Sequence, residues 1–260
     1  MKRFLFLLLI LSLKGHLFAL YMGNPALPGI IEQGFFFSTE NWFAVKTSYE
    51  RDWVFDRDMK AVSSISGRMD DFEYIADQGL LIFNIIDRIE IYGSGGAMRI
   101  SASHIPLRGV RNEYETHDQF TWGIGGRGLF AEWGNCSFGI DVKYQRAHPT
   151  IKWMTQNGTP VNPRVGSKIS FHEWQVGLGV SYQVALFYPY IAVKYSNAQA
   201  RFKHLPTGFF PNTRHFKVKN RRKFGMAIGT TLSNGSRFDV SVEARIIDEQ
   251  AITLAAQIKF

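Results

Sequence analysis

"AITLAAQIKF", residues 251–260, alternates without a break: Ile252, Leu254, Ala256, Ile258 and Phe260 share one side of an extended chain, with Thr253, Ala255, Gln257 and Lys259 on the other. A helix would scatter these residues around its circumference, whereas a strand sorts them into one apolar and one polar lane. The preceding "RFDVSVEARI", 237–246, repeats the pattern with stronger contrast. Phe238, Val240, Val242, Ala244 and Ile246 alternate there with Arg237, Asp239, Ser241, Glu243 and Arg245. The same two-residue period recurs in "CSFGIDVKY" at 136–144 and "EWQVGLGVSYQV" at 173–184.

A β-sandwich also alternates, but its strands average about five or six residues and its polar face points outward. Long alternating runs suit a strand that shows its apolar lane to lipid and its charged lane to a wet lumen, over about ten residues between turns. Composition agrees: 24 glycines, 15% aromatic residues and a mean hydropathy of −0.11 favour many strands in one all-β domain. Beyond the N-terminus, no run approaches the roughly 18 to 20 apolar residues a spanning helix needs.

The N-terminus carries an export signature. Met1, Lys2 and Arg3 precede the apolar "FLFLLLILSL", and "KGHLFAL" offers Ala19 for cleavage, so residues 1–20 are expected to be a signal peptide and 21–260 the barrel domain. Loss of Lys2, Arg3 and Lys14 lowers the formal net charge from +8 to about +5. The single Cys136 excludes an internal disulfide.

Strands are predicted near 30–38, 42–51, 54–65, 72–85, 88–103, 117–132, 136–148, 169–185, 188–203, 222–233, 236–246 and 250–260. The expected fold is therefore an all-β, transmembrane, antiparallel up-and-down β-barrel of about 12 strands, with 10 to 16 compatible and both termini periplasmic. Short periplasmic turns are expected at Arg51–Trp53, "IID", "WGN", "LF" and "NG", and long external connections at 104–116, 149–168 and 204–221.

"AIGTT" (227–231), "VSVEARIIDE" (240–249) and the terminal "AQIKF" follow one another as in the chlamydial major outer membrane porin family. "FHEWQVGLGVSYQV", "YPYIAVKYS", "NIIDRIEIYGSGGA", "DWVFDRDMK" and "GNPALP" extend the resemblance upstream in the family's order, over about half of the expected mature chain. The resemblance implies an outer-membrane β-barrel porin, with trimers as the family's usual assembly. Two departures limit what it carries over. The chain is short, and "EWGNCSFG" keeps Cys136 but has Gly134 where the family tends to have a second cysteine. The family's disulfide network therefore does not transfer, although one intermolecular bond through Cys136 stays open beside the reading of Cys136 as a small apolar residue near a turn.

By parity, the pore-lining candidates are Lys46, Glu50, Arg127, Asp141, Lys143, Glu173, Lys194, Arg237, Asp239, Glu243, Arg245 and Lys259. Either they give a slight anion preference, weakened by water and salt, or they pair into a neutral network that braces the wall. Phe260 is the expected assembly signal, which the barrel assembly machinery would read on a strand that must close against the first. Outer-membrane lipid and lipopolysaccharide are the other expected partners. "RHFKVKNRRK" (214–223) and "RFKH" (201–204) form a basic external rim suited to phosphates, or a merely solvated loop, and no nucleic-acid motif accompanies them.

No enzyme, cofactor or metal is expected. His104, His117, His148, His172, His204 and His215 are scattered, and none belongs to a nucleophile-elbow, zinc or phosphate-loop pattern. "GSGG" (93–96) and "GIGGRG" (123–128) have strand rather than phosphate-loop context. The sequons at 135–137, 157–159 and 234–236 read as turns. The function expected is a water-filled channel for ions and small hydrophilic solutes, and the alternative is an envelope scaffold or adhesin without significant conductance.

Overall fold

A computed structural model describes residues 20–30, 42–62, 67–206, 214–235 and 237–260. Among the described residues one short helix, α1 (Leu27–Ile30), precedes fifteen strands: β1 (Phe43–Arg57), β2 (Met59–Ala61), β3 (Arg68–Ile85), β4 (Ile89–Leu107), β5 (Val110–Thr116), β6 (Gln119–Trp133), β7 (Cys136–Ala147), β8 (Ile151–Gln156), β9 (Thr159–Pro160), β10 (Lys168–Tyr182), β11 (Phe187–Lys203), β12 (His215–Asn220), β13 (Phe224–Ser233), β14 (Phe238–Ile246) and β15 (Glu249–Lys259). Ten of them close an antiparallel barrel in the order β3-β1-β15-β14-β13-β11-β10-β7-β6-β4, and the β3–β4 pairing completes the ring. The last strand seals against the first, from Lys46 opposite Lys259 to Arg57 opposite Glu249.

Outward lanes carry the apolar residues. Leu81, Ile91, Ile124, Val142, Leu178, Val193, Ile228, Val242 and Leu254 all face away from the lumen, as a wall solvated by hydrocarbon requires. On β10, Trp174 to Tyr182 covers about 26 Å along the strand at about 3.3 Å per residue. Aromatics bound this band. Trp174 with Tyr195, Tyr195 with Phe224 and Trp122 with Tyr144 pack at ring separations of 5.4, 5.3 and 5.7 Å along one edge, while Trp133, Tyr182, Phe187 and Phe238 ring the other. Short turns at 86–88, 134–135, 183–186 and 234–235 gather at that second edge together with the C-terminus, which makes it the periplasmic end. The expected "IID", "WGN", "LF" and "NG" turns all lie there.

Three expectations change. Arg51–Trp53 is not a turn, because β1 runs through it as one strand to Arg57 and is irregular only between Val54 and Asp56. The segment reads as turn-like because it is dense in charge, yet Asp52 points inward while Arg51 lies outside, 3.5 Å from Asp77 and over the Trp53 ring. The predicted strand at 30–38 falls, apart from Ile30 at the end of α1, outside the described residues. Finally, the long external connections are not simple loops. β4 and β10 continue past the membrane band, and β5, β8, β9, β12 and β2 extend the sheet there. That extension is possible because its inward residues are apolar: Tyr114, Met154, Phe202, Phe216 and Val218 join Phe72, Tyr74 and Phe171 in one core.

Candidate functional site in the barrel lumen

Inward lanes of the ten strands place ionisable side chains in layers. Of the parity candidates, Lys46, Glu50, Arg127, Asp141, Lys143, Glu173, Lys194, Asp239, Glu243, Arg245 and Lys259 are all buried inside the barrel. Arg237 is not among them: it lies exposed in the periplasmic turn before β14, because the alternating register begins only at Phe238.

Near the periplasmic end, Lys46 lies 2.7 Å from Glu90, whose other oxygen is 3.2 Å from the Arg127 guanidinium. Asn84 donates to Glu90 at 3.2 Å. Lys259 pairs with Asp87 at 2.9 Å by the turn. At mid-height Lys143 meets Glu50 at 3.0 Å and Tyr92 donates to Asp141 at 2.8 Å. Higher still, Arg57 clamps Glu173, Arg245 clamps Asp52, and Glu249 lies 2.7 Å from Arg245 and 3.5 Å from Lys194. Sequence reading missed Asp52, Arg57, Glu90, Asp248 and Glu249. Glu90 was open to the same parity argument in "RIEIYG", whereas the supposed turn at Arg51–Trp53 hid Asp52 and Arg57. Counted over the described residues, the buried charges are seven cations, Lys46, Arg57, Arg127, Lys143, Lys194, Arg245 and Lys259, and nine anions, Glu50, Asp52, Glu90, Asp141, Glu173, Asp239, Glu243, Asp248 and Glu249. They are interleaved, as burying charge requires.

The lumen also holds a part of the chain that is not wall. Residues 20–30 run down its interior, from Leu20 in the external apolar core to Ile30 at the periplasmic mouth. Their main chain is held by the wall's charged and polar groups. Lys194 donates to the Leu20 carbonyl (3.2 Å), Gln175 to that of Tyr21 (3.2 Å), and Lys46 to those of Leu27 and Pro28 (3.1 and 3.3 Å). The Met22 and Gly23 N–H groups donate to Glu243 at 2.9 and 3.0 Å, and the Asn24 amide donates to Thr231 and the Tyr188 carbonyl. Strand glycines make the room. A Cβ at Gly177 would sit 2.4 Å from the Met22 sulfur, and one at Gly139 would sit 2.7 Å from the Pro25 carbonyl oxygen. Gly23 itself has φ +79°, which few other residues tolerate. Below this segment the mouth opens as a pocket of about 480 Å³ lined in part by Ala26, Ile30, Tyr188 and Asn234.

One arrangement outside the lumen could suggest catalysis. Ser170 Oγ lies 2.9 Å from His148 Nδ1, but Arg146 donates to His148 Nε2 at 2.9 Å. A guanidinium only donates, so Nε2 must accept and Nδ1 must carry the proton, which leaves no base facing the serine. Burial, with the Arg146, Lys168 and Lys203 cations, also lowers the His148 pKa. Among the described residues no cluster could hold a metal ion. Cys136 is a free, partly buried thiol beside the Gly134–Asn135 turn, and Gly134 at φ +58° occupies a conformation that would strain a cysteine.

The family model described as Chlamydia major outer membrane protein matches residues 155–204 and 212–260. The Major outer membrane porin of Chlamydia abortus is 23% identical over 368 aligned residues, covering 93% of this chain and 95% of that protein. The serovar B porin of Chlamydia trachomatis is 24% identical over 381, covering 96% and 97%. Both alignments exceed the length of this chain, so the relatives carry insertions against it. Among solved structures, the Escherichia coli outer membrane protease OmpT matches 84% of this chain and 95% of its own, at TM-score 0.42 and 10% identity. The outer membrane protein OprG of Pseudomonas aeruginosa matches 88% and 99%, at 0.36 and 11%. The chain is similar to the chlamydial major outer membrane porins over more than nine-tenths of its length, though shorter and with a single cysteine, and is built as a β-barrel of the outer-membrane type.

Proposed function

We propose that this protein is a non-enzymatic outer-membrane porin, passing ions and small hydrophilic solutes through the lumen once residues 20–30 leave it. One observation carries the reading beside the kinship with porins. What fills the periplasmic half of the lumen is a separate strand of chain held by hydrogen bonds to an intact polar lining, rather than apolar side chains of the wall. A barrel that served only as a scaffold gains nothing from lining that interior with charge, because buried charge costs free energy that apolar packing would not.

A ten-stranded lumen is narrow, so small solutes only are expected to pass. The buried lining holds no surplus of cations, and any anion preference must come from the basic external rim. A second reading, an envelope barrel without significant conductance, is favoured by the external half, where Phe72, Tyr74, Phe171, Phe202 and Phe216 close into an apolar core. Planar-bilayer recording separates the two: stepwise conductance from the folded protein supports the porin, and silence from both the wild type and a variant with its luminal segment released supports the scaffold.

A further inference from the structure

Just above the external aromatic edge, the outward face of the sheet changes from apolar to cationic within one step of the pleat. The pairings fix the geometry. Tyr144 and Trp174 lie opposite one another on β7 and β10, and the next outward positions are Arg146 and His172. Across β11 and β12 that row continues through Gln199 to Lys219, and β2 adds Lys60 opposite Lys219. The row above contains Ser170, Arg201 and Lys217, and the one above that Lys168, Lys203 and His215. No carboxylate occupies any of these outward positions, and among the described residues none of Lys60, Arg146, Lys168, Arg201, Lys203, Lys217 and Lys219 forms an ion pair.

Such a lattice is unfavourable by itself. Like charges directly opposite across two strands destabilise a sheet, and here Arg201 faces Lys217 while Lys168 faces Lys203. The other face of the same strands is well made: Phe202 and Phe216 stack at 4.3 Å. The repulsion is therefore confined to the outside, where a ligand of opposite charge would relieve it. The surface is also concave. Arg201, Lys203, His204, Arg214, His215 and Lys217 line, with Phe216, a pocket of about 450 Å³.

We propose that this patch is a docking site for the phosphate groups of a phosphorylated lipid in the outer leaflet, with lipid A as the fitting chemistry. Height selects the lipid over a soluble polyanion. The cations continue the outward, lipid-facing lane of β7, β10 and β11 beyond the aromatic edge, where headgroups sit. Acyl chains would lie against Leu178 and Val193 below while phosphates meet Arg201 and Lys217 above. Guanidinium and ammonium donors bind phosphate strongly, and near a charged membrane each such cation is worth roughly fivefold in binding. The inference is independent of whether the lumen conducts.

The test uses the full, folded protein equilibrated with phosphatidylcholine micelles containing a minor fraction of diphosphorylated lipid A, or of the same lipid A after phosphatase treatment. Retained lipid is read by native mass spectrometry. Wild type is expected to retain the phosphorylated form preferentially, and Arg201→Gln with Lys203→Gln and Lys217→Gln is expected to cut retention roughly a hundredfold, while Lys152→Gln, outside the patch, leaves it unchanged. Equal retention of the two lipids by wild type would overturn the proposal, whatever the folding of the variant. So would displacement of lipid A by inorganic phosphate or a soluble sulfated polysaccharide at comparable molar amounts, which would make the site one for free anions.

Discussion

Replacing Glu243 with glutamine should loosen the luminal segment while leaving the barrel closed. Glu243 accepts from the Met22 and Gly23 N–H groups at 2.9 and 3.0 Å and from the Tyr190 hydroxyl at 2.8 Å. Glutamine keeps one acceptor oxygen but turns the other into a donor facing an N–H, so one charge-assisted hydrogen bond is lost outright and the remaining ones weaken. Hydrogen bonds to charged groups contribute about 1.5 to 3 kcal/mol each. A loss of about 2 to 3 kcal/mol shifts the docked-to-released equilibrium by roughly 30- to 150-fold. The assay is maleimide labelling of Ala26→Cys in a Cys136→Ser background. Ala26 is small and 5% exposed, so a cysteine fits and reacts only on release. Labelling should be slow with Glu243 and about two orders of magnitude faster with glutamine. Equal rates in the two backgrounds would refute the reasoning, as would labelling of the Glu243 protein at the rate of a surface thiol.

Other substitutions probe neighbouring contacts. Gly139→Ala forces a Cβ against the Pro25 main chain and should release residues 23–26, whereas Gly177→Ala meets only the flexible Met22 side chain and should have little effect; the same labelling rates check both. Lys46→Met removes the 2.7 Å partner of buried Glu90 but leaves Arg127 at 3.2 Å, so it should cost about 3 kcal/mol of barrel stability or less in urea unfolding, and Lys46→Met with Arg127→Met should cost clearly more. Phe260→Ala should reduce the fraction of protein that inserts as a heat-modifiable barrel; insertion at wild-type levels would remove Phe260 as an assembly signal. Neutralising Arg201, Lys203 and Lys217 should move the reversal potential of the open pore in a salt gradient toward cations if the rim supplies anion preference.

How legible each part was depends on whether its cause is local. β13 to β15 could be read residue by residue, because lipid on one side and charge on the other enforce a strict two-residue period, and the same parity puts Lys46, Glu243 and Lys259 on the inner lanes, where they are buried. β1 was cut in two because charged Arg51, Asp52, Asp56 and Arg57 look like a turn until their partners on neighbouring strands are known. The external extension could not be foreseen: β5, β8 and β12 are too short to show a period, and their apolar residues have meaning only when gathered into one core. Least legible was residues 20–30. "LYMGNPALPGI" has neither strand nor helix periodicity, and two prolines mark it as a loop. Its place is set by Glu243, some 220 residues away in sequence, and by glycines at 139 and 177 whose missing side chains form the groove.

Whether the lumen is a passage is answered most directly by planar-bilayer recording of the folded, full-length protein beside its Glu243→Gln variant. The expected result is discrete conductance steps in both, brief and rare in the wild type and longer-lived by one to two orders of magnitude in the variant. Silence from both, with the barrel folded and the variant's segment released to maleimide, would contradict the porin reading and leave a structural barrel closed by its own external core.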